Sequence, residues 1–160
     1  MSLNKVELDP NLKSSLEGVI ASGEPGVGLT NPFYTDEQVY NVEQRLVFSD
    51  NWTCIGFEKD VPSNGDVFPI MLFDQALIIV RGRNQRISVF HNVCSHRGMI
   101  LVNKPGNTNG LIRCPYHSWC YDLDGNLKRT PLLGGAETDE HESIDPSLYG
   151  LKRIRSATVF

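Results

Sequence analysis

The chain has 160 residues, enough to bury a substantial core, and one domain is the natural expectation. Its 15 basic and 19 acidic residues give a formal net charge of −4, which argues against nucleic acid as a partner. The longest aliphatic run falls far short of a membrane span of about 20 residues, and the N-terminal sequence shows no secretory pattern. We therefore expect no membrane partner and a cytoplasmic location.

Two helices are predicted near the N-terminus. Asp9-Pro10 is a typical helix start, and apolar residues follow at helical spacing until Gly23. A second helix is predicted over 36–48, because Thr35 to Gln38 has the pattern of a capping box. Residues 1–34 are accordingly interpreted as an N-terminal helix and connector.

From Trp52 onwards the hydrophobic pattern becomes that of short strands. Asp124-Gly125 is a strong hairpin turn signal within this region. Short strands at close spacing predict an antiparallel β domain over 52–130, followed by a loop and a returning strand over 131–160. The predicted strands are 52–57, 67–73, 75–80, 86–93, 111–113 and 119–123, with strand character again over 148–160.

Two short segments of the β region each contain one cysteine and one histidine: Cys94-Ser95-His96 and Cys114-Pro115-Tyr116-His117. Four such ligands in two tight pairs are typical of a metal site. Zinc fingers usually take cysteines from one element and histidines from another, whereas a Rieske [2Fe–2S] centre has two cysteines on one iron and two histidines on the other. Each loop of a Rieske centre must then supply one residue of each type, as it does here.

The chain resembles the Rieske family, whose motif is Cys-x-His followed by Cys-x-x-His. Each ligand position is filled, and the resemblance implies a [2Fe–2S] cluster bound by Cys94, His96, Cys114 and His117. It also implies a mainly β fold, an antiparallel Rieske-type β-sandwich with two N-terminal helices, in which the Rieske domain occupies residues 35–160.

The residues around the motif resemble the Rieske non-haem iron oxygenases, over roughly Phe33 to Pro131. The high-potential Rieske proteins of respiratory complexes carry an extra pair of cysteines where this chain has Met99 and Tyr116. They also place a serine, which hydrogen-bonds a cluster sulfur, where this chain has Trp119. With fewer hydrogen bonds to sulfur, we expect a potential toward the low end of the Rieske range.

The resemblance implies one part of a multicomponent mono- or dioxygenase. A reductase or ferredoxin would supply the electron, and a mononuclear Fe(II) would activate O₂ to hydroxylate or demethylate an aromatic acid or a quaternary ammonium compound. That iron needs two histidines and a carboxylate, and His91 and His141 form no convincing pair. We therefore expect no catalytic residue here and the catalytic iron in a missing downstream domain, with a homotrimer in the full-length protein.

Two other functions stay open, a stand-alone Rieske ferredoxin and a structural zinc-binding module. His91 is interpreted as a core histidine, and Cys54 and Cys120 as small buried hydrophobic residues. Two basic groups are interpreted as solvated faces that could dock an acidic redox partner. These groups are Arg81, Arg83 and Arg86, and Lys152, Arg153 and Arg155.

Overall fold

The structure, a computed structural model, describes residues 9–22, 26, 28–131, 133 and 143–159. The chain forms two compact units, Met1–Cys54 and Ile55–Phe160. His141 and the last residue of the predicted returning strand, Phe160, lie outside the described residues. Within the described ranges, no helix combines the length and the apolar character that crossing a membrane requires.

The first unit is helical. Helix α1 spans Pro10–Ser22, α2 spans Pro32–Thr35, and α3 spans Glu37–Glu43 and continues as a π-helical segment, Gln44–Phe48. The N-cap of α3 is Asp36, whose carboxylate accepts a 2.7 Å hydrogen bond from the backbone N–H of Gln38. Thr35 is therefore not the cap that its sequence pattern predicts, because it is the last residue of the preceding helix.

The second unit contains two antiparallel sheets. The five-stranded sheet has the order β4-β1-β2-β3-β8 and the three-stranded sheet the order β5-β6-β7. This architecture confirms the predicted mainly β fold. The strands are β1 Asp66–Leu72, β2 Gln75–Arg81, β3 Ile87–His91, β4 Gly106–Asn107, β5 Leu111–Arg113, β6 Cys120–Asp122, β7 Leu127–Arg129 and β8 Arg153–Ile154.

Two of the predicted strands differ in the structure. Residues 52–57 form no strand, and the segment ends in a 3₁₀ turn, Glu58–Asp60, in which Asp60 accepts a hydrogen bond from the backbone N–H of Phe57. The returning strand is short, because Pro146–Leu148 forms another 3₁₀ turn and pairing with β3 is limited to Arg153–Ile154. In both places a local turn satisfies backbone groups that strand pairing would otherwise use.

The main core contains side chains from both sheets. Ile78, Val80 and Phe90 come from the larger sheet, and Ile112 and Tyr121 come from the smaller one. Strand β2 is buried on both faces, because its alternate residues belong to a second cluster on the other side of the larger sheet. Both cysteines of the predicted metal motif also belong to the main core, so the candidate site is continuous with it.

The interpretation of Arg81 as part of a solvated face is wrong. Arg81 is 7% exposed, and its guanidinium donates to three backbone carbonyls. A planar fork of donors can satisfy several loop carbonyls at once, so this arginine stabilises the loops around the end of β2. Arg153 of β8 is exposed, and its guanidinium donates to the Ser88 hydroxyl at 2.7 Å and lies over the ring of Phe90. The acceptors of Arg81 are the carbonyls of Val61 (2.8 Å), Gln85 (2.8 Å) and Glu58 (3.2 Å).

The two cysteines outside the metal motif differ in burial. Cys120 is buried as predicted, and its thiol lies 3.1 Å from the carbonyl oxygen of Ser118. Cys54 is exposed, so the prediction that it is a buried residue is wrong. It lies in the segment 52–57, which does not form the predicted strand. His91, at the end of β3, is partly buried.

Candidate metal centre

The first loop of the site leaves β3 and is closed at its base by Asn92. This buried side chain donates to the carbonyl of Val102 at 2.6 Å and accepts from the backbone N–H of Val102 at 3.0 Å. The side-chain amide of Asn92 therefore joins the two ends of the loop with a pair of hydrogen bonds, as two paired residues of neighbouring strands would. Because both bonds are made to backbone, the loop that contains Cys94 and His96 has a fixed base.

The second loop joins β5 to β6 and repeats the backbone geometry of the first. In each loop the N–H of the cysteine donates at 2.8 Å to the carbonyl five residues later, that of Met99 or Trp119. The carbonyl of each cysteine accepts from the N–H four residues later, that of Gly98 or Ser118. Gly98 and Ser118 both have positive φ, 74° and 61°. The shared geometry presents the two cysteines in equivalent positions.

Ser118 is the strained counterpart of Gly98, because a left-handed conformation is costly for a residue with a side chain. Its hydroxyl accepts a 3.0 Å hydrogen bond from the guanidinium of Arg113, the residue that precedes Cys114. This contact ties both ends of the second loop together. At Gly98 an added Cβ would meet nothing within 4 Å. Glycine is therefore favoured here by the positive φ, and not by a neighbouring atom that lies too close for a side chain.

The two loops bring all four predicted ligands together. Cys94 and Cys114 are each 2% exposed, at the inner side of the site. His96 and His117 are partly buried, with ring centroids 4.9 Å apart and planes at 62°. Nothing in the described part of the chain groups three Cys, His, Asp or Glu side chains around one point for a single metal ion. The site is instead divided into an inner thiol pair and an outer imidazole pair.

Two buried polar atoms of the site have no hydrogen-bond partner among the described residues, Nδ1 of His117 and Nε1 of Trp119. A buried polar group without a partner costs about 1–3 kcal/mol, so such atoms usually mark a missing ion, ligand or water. An imidazole nitrogen is a metal ligand, and an indole N–H is a donor that sulfide could accept from. The donor set therefore fits an iron–sulfur cluster.

Aromatic rings stack on both histidines. The indole of Trp119 lies parallel to the His96 ring, with centroids 4.6 Å apart, and is itself buried. The Tyr116 ring stacks on His117 at 3.7 Å but is 58% exposed. Trp119 therefore shields the site from water, whereas Tyr116 forms part of the surface beside His117.

Tyr121 is a residue of the site that the motif does not reveal. Its ring is fully buried between the sheets, and its hydroxyl lies 3.1 Å from Sγ of Cys94. The sequence signal that could have found it is the spacing of large apolar residues through β6 and its two neighbours, since Trp119, Tyr121 and Leu123 lie two positions apart and are all buried. Tyr121 thus places a hydrogen-bond donor beside one predicted ligand sulfur.

Burial is the largest cause of the pKa shifts of Cys94, Tyr121 and His96. Desolvation raises the pKa of the Cys94 thiol, although the Tyr121 hydroxyl acts in the opposite direction. Burial and the hydrogen bond to Cys94 raise the pKa of Tyr121 above its usual range, so the phenol keeps its proton. Burial, followed by the charges of His117 and Arg97, lowers the pKa of His96 and favours the neutral imidazole. Neutral imidazole is the form that binds metal.

The chain returns to the site after the second 3₁₀ turn. Ser95, between the first two predicted ligands, donates its hydroxyl proton to the carbonyl of Tyr149 at 2.5 Å. The Tyr149 ring meets Trp119 edge-on, with centroids 5.7 Å apart. Residues distant in sequence therefore fix the backbone of one loop and the aromatic ring of the other.

Comparison with known proteins gives the same family as the motif. The profile of the Rieske [2Fe–2S] domain matches residues 51–140. The glycine betaine monooxygenase oxygenase subunit of Chromohalobacter salexigens is 36% identical over 126 residues, which are 79% of this chain and 27% of the relative. The chain thus spans about a quarter of the length of this curated relative.

Solved structures of two oxygenases are similar to this fold. A quaternary ammonium Rieske monooxygenase, described for carnitine oxidation by gut microbiota and inter-subunit electron transfer, matches with a TM-score of 0.66 and 29% identity. That match covers 78% of this chain and 33% of the other. Naphthalene 1,2-dioxygenase from Rhodococcus sp. matches with a TM-score of 0.77 and 26% identity, over 92% of this chain and 33% of the other.

Proposed function

Because this chain belongs to the Rieske [2Fe–2S] domain family, we propose that its four paired residues are the ligands of the cluster. Cys94 and Cys114 would bind one iron, and His96 and His117 the other. The observation that carries this assignment is the buried Nδ1 of His117, which has no hydrogen-bond partner among the described residues, in a site whose two cysteines are also buried. When bound, such a cluster accepts and releases one electron at a time.

The function that the site supports best is electron transfer within an oxygenase. The thiols lie in the core, whereas the imidazoles are partly exposed, so His96 and His117 form the side of the site nearest to a partner. The buried Trp119 covers His96 and excludes water from one side. We propose that a reductase or a ferredoxin delivers the electron to this domain.

The electron acceptor in this proposal is a mononuclear Fe(II) that activates O₂. The chain matches about a quarter to a third of each reported relative, and these relatives are oxygenases or their subunits. We propose that the iron is bound by a further domain of the full-length polypeptide and that the full-length protein is a homotrimer. Inter-subunit electron transfer, named for one solved relative, supports this arrangement.

For the substrate we propose a quaternary ammonium compound, since a glycine betaine enzyme and a carnitine enzyme are among the relatives. An aromatic substrate is the second candidate, because naphthalene dioxygenase matches over 92% of the chain. Full-length protein supplied with a reductase should consume O₂ with betaine or carnitine and release formaldehyde on demethylation. Consumption with aromatic acids alone would favour the second candidate.

A cytoplasmic location is also part of this proposal. Cys94 and Cys114 are free thiols, which a reducing compartment preserves for cluster assembly. Fractionation of cells that express the full-length protein should therefore recover it with cytoplasmic markers. Recovery from an oxidising compartment would contradict this location.

Spectroscopy of the purified chain tests the cluster assignment. We expect a brown protein whose visible absorption bleaches with dithionite and whose reduced form gives the low-average-g electron paramagnetic resonance signal of a histidine-ligated cluster. A colourless protein that binds stoichiometric zinc and gains no signal after reconstitution with iron and sulfide would instead be a structural zinc module. A Rieske signal with no oxygenase activity of the full-length protein would favour a ferredoxin-like carrier.

Replacing Tyr121 with phenylalanine should lower the reduction potential. The hydroxyl, 3.1 Å from Cys94 Sγ, stabilises negative charge on sulfur, and this charge increases on reduction. A hydrogen bond of about 1 kcal/mol corresponds to about 40 mV for one electron. Protein-film voltammetry measures the shift, and an unchanged potential in a variant that keeps its cluster signal would contradict this role of Tyr121.

A further inference from the structure

The Tyr121 hydroxyl is shared between a predicted ligand and the residue that follows it. Its oxygen lies 3.1 Å from Cys94 Sγ, 2.9 Å from the hydroxyl oxygen of Ser95 and 3.2 Å from the Ser95 backbone nitrogen. The backbone N–H can do nothing but donate, so it donates to the Tyr121 oxygen. The other two contacts depend on where the hydroxyl protons lie.

The available protons determine the direction of these contacts. The carbonyl of Tyr149 can accept but not donate, so the 2.5 Å contact with Ser95 uses the single proton of the serine hydroxyl. Ser95 Oγ then turns its lone pairs toward Tyr121. A metal-bound Cys94 sulfur carries no proton and is also an acceptor. Two acceptors therefore compete for the one proton of Tyr121.

From this competition we infer that Ser95, held by the carbonyl of Tyr149, lowers the reduction potential by drawing the Tyr121 proton away from Cys94 sulfur. Ser95 is a positioning residue in this scheme, because it acts on the cysteine through Tyr121. The inference rests on the proposed ligand role of Cys94. It also assigns a function to the returning segment, since the acceptor that orients Ser95 belongs to Tyr149.

The two hydroxyls should therefore have opposite effects. Tyr121→Phe removes the donor and lowers the potential, whereas Ser95→Ala removes the competing acceptor and leaves the Tyr121 proton to sulfur. We expect Ser95→Ala to raise the equilibrium constant for one-electron reduction about threefold, which 59 mV per tenfold converts to about 28 mV. Ser95→Thr keeps a hydroxyl at the same position and should leave the potential unchanged.

The test is a double-mutant cycle on the full chain, with potentials measured by protein-film voltammetry. The variants are Ser95→Ala, Tyr121→Phe and the double substitution, with Ser95→Thr as the matched control. If Ser95 acts through the Tyr121 proton, Ser95→Ala has no further effect in the Tyr121→Phe background. If Ser95 only tethers the loop to Tyr149, Ser95→Ala shifts the potential equally in both backgrounds, and the inference is overturned.

The electron paramagnetic resonance signal of each reduced variant separates this inference from the function on which it rests. A wild-type chain with no Rieske signal would overturn the proposed ligand set, and the role of Ser95 with it. A wild-type signal together with a lowered or unchanged potential in Ser95→Ala would overturn the role of Ser95 alone. A raised potential that Ser95→Thr also shows would do the same, because the threonine hydroxyl preserves the competition.

Discussion

Substituting any one of the four proposed ligands, for example Cys114→Ala or His117→Ala, is expected to abolish the [2Fe–2S] cluster. Each iron has two protein ligands in this assignment, so each substitution removes half of the protein contribution to one metal. The inner cysteines are also part of the main core, so loss of the cluster is expected to disturb the packing around them. Iron content, visible absorption and the electron paramagnetic resonance signal of the reduced protein measure the loss.

Matched controls are available for both residue types. Cys54→Ser changes an exposed cysteine in the first unit, and His91→Gln changes a partly buried histidine in β3 that precedes the first loop. Both variants should retain stoichiometric iron and an unchanged spectrum. Loss of the cluster in these controls, or its retention in Cys114→Ala and His117→Ala, would show that the ligand assignment is wrong.

The candidate ligands could be predicted from sequence because the chemistry is concentrated in two short segments. Each segment contains one cysteine and one histidine, and the backbone hydrogen bonds of the turn around each cysteine join residues at most five positions apart. The β hairpin formed by β1 and β2 could also be predicted from the sequence, since apolar strands flank the turn at Phe73-Asp74. Local patterns of this kind specify local structure directly.

The surroundings of the ligands could not be predicted in this way, because they depend on contacts between distant residues. The acceptor of the Ser95 hydroxyl is Tyr149, 54 positions further along the chain. The donor to Cys94 Sγ is Tyr121, whose hydroxyl reaches the site because β6 packs its alternate residues between the sheets. No spacing rule links such residues before the fold is known.

The role of Arg81 and the cap of α3 could not be predicted from the sequence either. A run of arginines at the end of a strand is usually solvated. The sequence does not indicate that Arg81 donates hydrogen bonds to three loop carbonyls, because these acceptors come together only in the folded chain. The predicted cap of α3 fails for a related reason. Thr35 and Asp36 are both good cap residues, and the short helix α2 that ends at Thr35 decides between them.

Gly125→Ala is expected to destabilise the β unit by about 3 kcal/mol, as the sum of backbone strain and overpacking. Gly125 has a φ of 87° in the turn between β6 and β7, where an L side chain is strained. An added Cβ would lie 2.5 Å from a ring carbon of Phe90, which is 1% exposed in the main core. The turn has little room to shift, because the Gly125 carbonyl accepts a 2.7 Å hydrogen bond from the backbone N–H of Leu151.

Gly110→Ala is the control that measures backbone strain without a ring contact, so the difference between the two variants gives the contribution of the Phe90 ring. Gly110 also has a positive φ, 96°, but its added Cβ would meet a flexible arginine side chain at 3.5 Å, an ordinary contact. Backbone strain alone should therefore cost about 1 kcal/mol at this position. Thermal unfolding followed by circular dichroism compares the two variants, and equal losses would mean that the core around Phe90 can accommodate the methyl group.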